Sequence, residues 1–394
     1  MDQLFVKLAR SSSNKYLLSN IKNNEMNYDN RVTLYKLLHG VIHNEEDCGD
    51  LRNYELLNKG GFSTNWKKVL NFNGKVFSIA LKVQFVKRSI FNDKFSLKYN
   101  VWMEYDVLIK CTELVISKIS PNVPIVYDLQ LCSPDKIIFY NELAKGSFID
   151  WCYEDHTVDD WESFLFQLWC GLHVLQKYLD LVHNDLRFGN VLFHETRSTY
   201  KYVIDDKEYY LPTKYTFVIW DYGGAKKAND EIMKRKLYLN TDLHFFHDAY
   251  NRLRVLMLLN KYTSEELEKF FTTEEELEYV EHTREECEKR FRRTGRFDEK
   301  CRISFVYYLI EHGKFNEMYK NKKDNLSESK VVRMPPKSIM MLLKDLSDNY
   351  NYKYDDVITV NLGVDKIIPN PNELIHKYFK KYLEKREFDY EFIL

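Results

Sequence analysis

At 394 residues, with 44% hydrophobic and 30% charged residues, the chain has an ordinary globular composition and the length of about two domains. That excludes a wholly disordered chain, a collagen and a disulfide-rich mini-protein. Its 58 Lys+Arg against 59 Asp+Glu give a net charge of −1, so no global field favours nucleic acid or an anionic membrane. Seven cysteines (Cys48, Cys111, Cys132, Cys152, Cys170, Cys287 and Cys301) are scattered, odd in number and never in CxxC spacing. They argue against a zinc site or a disulfide framework and for a reducing, cytoplasmic compartment. The run Met1 to Lys7 lacks the apolar stretch of a secretory signal. The most apolar helical run, Phe164 to Leu175, contains Gln167 and His173 and is too short to span a bilayer.

Residues 1–45 are polar, partly helical in expectation, and carry no chemical signal; they read as an N-terminal extension. From Tyr54 to Val83 the pattern is strand-like, with Val76 to Val83 following the Asn73-Gly74 turn signal. Residues 101–119 predict a helix, with Val101, Tyr105, Leu108, Val115 and Ile119 near one face; Pro121 and Pro124 end it. Two strands follow, around 125–131 and 136–142, then a Gly-containing joint, Ala144 to Ser147. An amphipathic helix over 161–179 repeats Trp161, Phe164, Leu168, Leu172, Leu175 and Leu179 at helical spacing. Short strands recur around 190–193 and 216–220, and everything after about 242 reads as mainly helical. The charge-rich stretch 318–330 reads as a loop. Strands thus precede helices, which predicts an α+β fold of two lobes: a small sheet-rich lobe over 46–143 and a larger helical lobe over 144–394.

Three segments carry chemistry. The first is His183-Asn184-Asp185-Leu186-Arg187-Phe188-Gly189-Asn190, where an Asp and an Asn five residues apart can take a hydroxyl proton and ligate a cation. The second is Phe217-Val218-Ile219-Trp220-Asp221-Tyr222-Gly223-Gly224, an apolar strand that delivers a carboxylate into a Gly-rich turn, as suits a Mg²⁺ ligand at a phosphate site. The third is Ala80-Leu81-Lys82 on an early strand. The first resembles the protein-kinase catalytic loop H-R-D-L-x-x-x-N, the second resembles D-F-G, and the third resembles V-A-I-K. Their order and spacing match that family across residues 54–250.

The resemblance implies a bilobal kinase fold that binds ATP and Mg²⁺ and phosphorylates Ser or Thr hydroxyls of protein substrates. It implies that Lys82 holds the α- and β-phosphates and that Asp185 orients and deprotonates the acceptor. It further implies that Asn190 and Asp221 hold Mg²⁺ and that Arg187 faces the γ-phosphate. Glu142-Leu143-Ala144 would bind adenine through backbone groups, which makes Asn141 the gatekeeper, with Ala80 and Leu192 sandwiching the ring. The partner of Lys82 is Glu104 or Glu113. They are nine residues apart and face opposite sides of the helix. Glu104 is favoured because it shares the main apolar stripe.

The departures are specific. The phosphate loop Gly60-Gly61-Phe62-Ser63 resembles G-x-G-x-x-G-x-V, but Asn58, Ser63 and Asn65 replace its first Gly, third Gly and Val. Asn184 replaces the Arg that would pair with a phosphorylated activation loop. Residues from about 196 to 215 read as an inserted hairpin turning at Asp205-Asp206. No A-P-E motif follows, and Asp242 is a candidate anchor of the catalytic loop. That combination is similar to the divergent Ser/Thr kinases of large cytoplasmic DNA viruses, with haspin-like features, which would place it in the host cytoplasm. The segment Asn370 to Ile375 resembles the last kinase helix. Two rivals stand beside this reading: a small-molecule kinase of the choline-kinase or aminoglycoside-phosphotransferase type, and a catalytically inactive scaffold.

Milder readings cover other features. His183 reads as a core residue rather than a base. His244-x-x-His247 lacks a third metal ligand. The basic runs at 289–296 and 376–386 read as solvated faces, and Trp102, Trp151, Trp161 and Trp169 as core.

Overall fold

The structure is a computed structural model. It describes residues 26–227 except 61–62, 73–74 and 133; then 253–255, 258–259, 262–294, 298–314, 318, 333 and 335–349; and finally 371–394. The calls on Gly61, Phe62, the Asn73-Gly74 turn, Asp242, His244 and His247, and all of the 318–330 loop but Met318, lie outside these residues. The fold is mixed α+β with antiparallel sheets, divided into two compact units. One takes in Met1–Phe148, Asp159–Asp242 and Val357–Leu394, the other Ile149–Val158 and Leu243–Asp356.

The first unit opens with helix α1 (Tyr28–Leu38), capped by the Asn27 side chain, which accepts from the Asn30 N–H. Strands β1 (Glu55–Lys59), β2 (Ser63–Phe72) and β3 (Lys75–Phe85) lead to helix α2 (Asn100–Ile116), then β4 (Val126–Cys132) and β5 (Lys136–Glu142). They form one five-stranded sheet in the order β1-β2-β3-β5-β4, and each adjacent pair is antiparallel.

Alternation along β3 decides which residues reach which face. Ile79, Leu81 and Val83 are buried on one side. Tyr140, opposite Leu81, shares that side, and its hydroxyl donates to Asp47 at 2.7 Å. Lys68, opposite Ile79, reaches the same carboxylate at 2.7 Å. The helical turn Glu45–Cys48 thus covers this face through a buried ion pair. Cys48 and Cys132 are joined by a disulfide that fastens this turn to β4. The expectation of no disulfide is corrected here: residues 84 apart in sequence become neighbours only once the sheet has formed, which no local spacing reveals.

Helix α3 (Val158–Leu179) is buried on more than the one face its periodicity predicts. Phe166, Cys170 and Val174 are as enclosed as Phe164, Leu168 and Leu172. Gly171 allows this, because a Cβ there would lie 2.8 Å from Ile219. Strands β6 (Val191–Ile204) and β7 (Lys207–Ile219) make one long antiparallel ladder, so the two short strands and the inserted hairpin of the sequence reading are a single element. It turns at Asp205 and Asp206, both at positive φ.

The second unit contains helices α4 (Glu274–Thr294), α5 (Asp298–Glu311) and α6 (Lys337–Asn349). Phe271, Val280, Phe305, Val306 and Leu309 are buried within it. The 289–294 part of the first basic run lies on α4. The chain then returns to the first unit with α7 (Pro371–Tyr378) and strand β8 (Tyr390–Ile393), which pairs parallel with residues 200–203 of β6. This strand ends a tail that the sequence reads as mainly helical, and a 3₁₀ turn at Lys380–Leu383 interrupts the basic helix read over 376–386. No helix among the described residues is long and apolar enough to cross a membrane.

Candidate active site

Lys82 lies on the β3 face opposite Leu81, where its Nζ is 2.5 Å from Glu104 Oε1 on α2 and 2.8 Å from Asp221 Oδ1 just after β7. Lys82 and Glu104 are almost wholly buried, and a buried ammonium persists only when it is paired. Burial alone would lower the Lys82 pKa, but Glu104 and Asp221 outweigh it and hold the value above that of a free lysine. Burial likewise pushes Asp221 up, yet Lys82 holds its carboxyl below the usual range. Glu113 is exposed. Gln84, on the same face as Lys82, donates from Nε2 to Glu104 Oε2 at 3.1 Å. Both carboxylate oxygens of Glu104 are therefore engaged by one strand.

Asp221 adopts the left-handed conformation, at φ 67° and ψ 74°. This is an uncommon backbone for a residue with a side chain, and it is tolerated where surrounding contacts impose it. Here Tyr222 is buried beside it and its hydroxyl donates to the Ile219 carbonyl at 2.9 Å. Gly224 lies against the next segment: a Cβ there would meet Asp185 Cβ at 3.2 Å.

That segment is tied down by His183, which is fully buried. Its Nδ1 accepts from the Asp185 N–H at 3.3 Å, so its Nε2 carries the proton donated to the Trp220 carbonyl at 2.8 Å. Asn184, at φ 60°, donates to the Gly224 carbonyl at 3.1 Å. The Asp185 carboxylate is half exposed, with Arg187 Nε 3.5 Å away. Asn190 is buried, and its Nδ2 donates to the Asp185 carbonyl at 2.7 Å and to Asp185 Oδ2 at 3.1 Å. The Trp220 N–H donates to the Asn190 carbonyl at 2.7 Å. The two carboxylate-bearing segments are thus laced together on either side of Trp220.

The remaining residues singled out in the sequence lie on the same sheet or beside it. Ala80 is opposite Asn141 in the β3–β5 ladder. The joint after Glu142 is held to β6, where the Lys145 N–H donates to the Phe193 carbonyl and Ser147 pairs with Leu192; Ala144 lies within it. The Gly60 N–H donates to the Ser63 carbonyl at 2.8 Å where β1 gives way to β2, and Asn65 on β2 lies opposite Lys82.

Sequence reasoning missed Arg31. Its guanidinium is fully buried and bidentate on Glu142, at 2.7 and 2.8 Å, and also donates to the carbonyls of Pro121 and Val123. Glu142 accepts further from the Ile125 N–H at 2.9 Å, and His194 Nε2 lies 3.4 Å from it. Burial would raise the Glu142 carboxyl, but Arg31 and His194 lower it to about 2. Residues 1–45 therefore do carry a chemical signal: Arg31 occupies the apolar stripe of Tyr28, Leu34 and Leu38, an odd place for a solvated arginine.

The donor set offers hard oxygens: the Asp221 carboxylate, of which Oδ1 is shared with Lys82, the Asp185 carboxylate and the Asn190 amide oxygen. These fit Mg²⁺, which takes one or two carboxylates and completes its shell with water and phosphate oxygens. Among the described residues there is no cluster of three or more His, Cys, Asp or Glu to hold a metal by itself.

No family model matches the chain. Over 199 residues it is 24% identical to the probable serine/threonine-protein kinase 380R of Invertebrate iridescent virus 6, a match covering 46% of this chain and 37% of that protein. The chain thus matches little more than a third of that relative's length, and the likeness supports a kinase-like character for it.

Proposed function

We propose that this chain is an ATP-dependent protein serine/threonine kinase of bilobal architecture. The observation that carries the reading is Lys82 held between Glu104 and Asp221, beside a loop in which Asn190 fastens Asp185. Lys82, already charged and positioned, grips the α- and β-phosphates. Asp221 and Asn190 hold Mg²⁺, which when bound neutralises phosphate charge. Asp185 orients the acceptor hydroxyl and takes its proton, a step worth on the order of 10²–10⁴-fold. Arg187 faces the γ-phosphate. Gly60 to Ser63 cover the phosphates. Backbone groups of Glu142 and Ala144 receive adenine between Ala80 and Leu192.

The test is transfer of labelled γ-phosphate from Mg-ATP by wild type and Asp221→Asn in parallel, with the enzyme and a mixed protein extract as acceptors. Labelled phosphoserine or phosphothreonine that vanishes with the variant supports the proposal. ATP consumption without labelled protein points instead to a small-molecule acceptor, and ATP binding without consumption to a scaffold.

A further inference from the structure

We propose that Asn141 reads the purine 6-amino group, making it the residue that selects adenine over guanine; this rests on the nucleotide-binding reading above. Three observations converge on it. Asn141 is completely buried at the end of β5, one residue before Glu142. Its Nδ2 donates to the Phe139 carbonyl at 3.2 Å, while its Oδ1 has no hydrogen-bond partner among the described residues. A buried amide oxygen left unpaired is uncommon and costly, and a ligand that supplies a donor relieves that cost. The bond to Phe139 also fixes the amide orientation: turned over, it would set two acceptors against each other and still leave a buried donor unmatched.

The register says where this oxygen stands. Asn141 lies opposite Ala80 and Phe139 lies opposite Lys82. Directly opposed residues project to the same face of a sheet, so Asn141, Ala80 and Lys82 share one face. That is the face on which Lys82 meets Glu104 and Asp221. Ala80 adds only a methyl group across from the amide. The Glu142 side chain is engaged by Arg31, so only its backbone is available to the base.

A 6-amino group carries two N–H bonds. One suits the backbone carbonyl at the joint; the other suits Asn141 Oδ1. Guanine carries a carbonyl at this position and would oppose acceptor to acceptor. The amide therefore contributes both attraction for adenine and exclusion of guanine.

The experiment measures dissociation constants of the full chain, with Mg²⁺, for ATP, purine riboside 5′-triphosphate (hydrogen in place of the amino group), N6-methyl-ATP and GTP. Wild type is compared with Asn141→Leu, which keeps the branching at Cγ and removes the acceptor. In the variant, the preference for ATP over purine riboside triphosphate should shrink by roughly 2- to 10-fold, the range of one neutral hydrogen bond, and GTP should be rejected less. An unchanged preference overturns the assignment while leaving the kinase reading intact. A wild type that binds no triphosphate overturns both. A variant that fails to fold is bypassed by wild type alone. N6-methyl-ATP keeps one N–H, so it should bind roughly 2- to 10-fold more weakly than ATP if both are used. Equal binding of the two overturns the proposal.

Discussion

Lys82 and Glu104 meet at 2.5 Å in a place where both side chains are almost wholly buried. Removing the Glu104 charge leaves the buried Lys82 with Asp221 as its one counter-charge among these partners, and breaking a buried pair costs up to about 3–5 kcal/mol. Glu104→Gln should therefore lower kcat/KM for phosphoryl transfer by on the order of 10²-fold or more. Glu113→Gln, on the exposed side of α2, should stay within about twofold, as surface changes do. Steady-state kinetics on the two variants checks this, and the reverse ranking would reassign the pair.

Gln84 supplies the second grip on Glu104, donating to the carboxylate oxygen that Lys82 does not hold. Gln84→Leu should weaken turnover by roughly 3- to 10-fold, the worth of one hydrogen bond to a charged acceptor at partial exposure. Because the role is positional, Gln84→Glu should do worse than Leu by setting two carboxylates together. A Leu variant more impaired than the Glu variant would argue for simple packing.

Asp185 is half exposed and fastened through its backbone and Asn190, so its carboxylate can be changed without disturbing the core. Asp185→Asn should reduce kcat by about 10²–10⁴-fold and leave ATP affinity within a few-fold. Calorimetric ATP binding beside single-turnover rates separates the two effects.

The carboxyl of Glu142 predicts a pH signature. Its native pKa is lowered to about 2 from an ordinary 4.5; burial opposes this, and Arg31 and His194 bring it about. As pH falls below 4.5, the unfolded chain takes up a proton that the native chain refuses until about 2. The stabilisation is thus fully present above 4.5 and is lost between 4.5 and 2. Denaturant titrations should show the stability gap between wild type and Glu142→Gln narrowing across that window. A gap that widens on acidification would contradict the assignment.

The Cys48–Cys132 bond closes a loop of 84 residues. On the chain-entropy account it contributes roughly 4 kcal/mol by restricting the unfolded state. A dithiol reductant should lower the melting temperature of wild type and leave Cys48→Ala/Cys132→Ala unmoved. Equal shifts in both would mean that the bond does not form in solution.

The parts of this molecule legible in sequence are those with local causes. The Asp205-Asp206 turn, the β4 and β5 strands and the order of the Lys82, Asp185 and Asp221 segments all follow from neighbours in the chain. What stayed hidden depends on partners far apart. Arg31 finds Glu142 across 111 residues, and nothing around Arg31 except its misplaced position on an apolar stripe announces a buried ion pair. Gln84 looks like a routine strand residue until Glu104 is placed beneath it. Strand β8 carries a pattern too short to distinguish from a helical tail, and parallel pairing with β6 supplies what its own residues do not.

The closure of α1 has a consequence for synthesis. Tyr28 packs its ring against Tyr390 and Phe392, and the Tyr390 hydroxyl donates to Asp29 across 361 residues. At ribosomal rates of about 5–20 residues per second, α1 emerges tens of seconds before its cover exists. Arg31 can reach Glu142 once 111 further residues have been made, but the apolar flank of the helix still has no lid. The nascent chain therefore passes through a long stage in which the strands of its five-stranded sheet are all made and its outer seam stands open to chaperones.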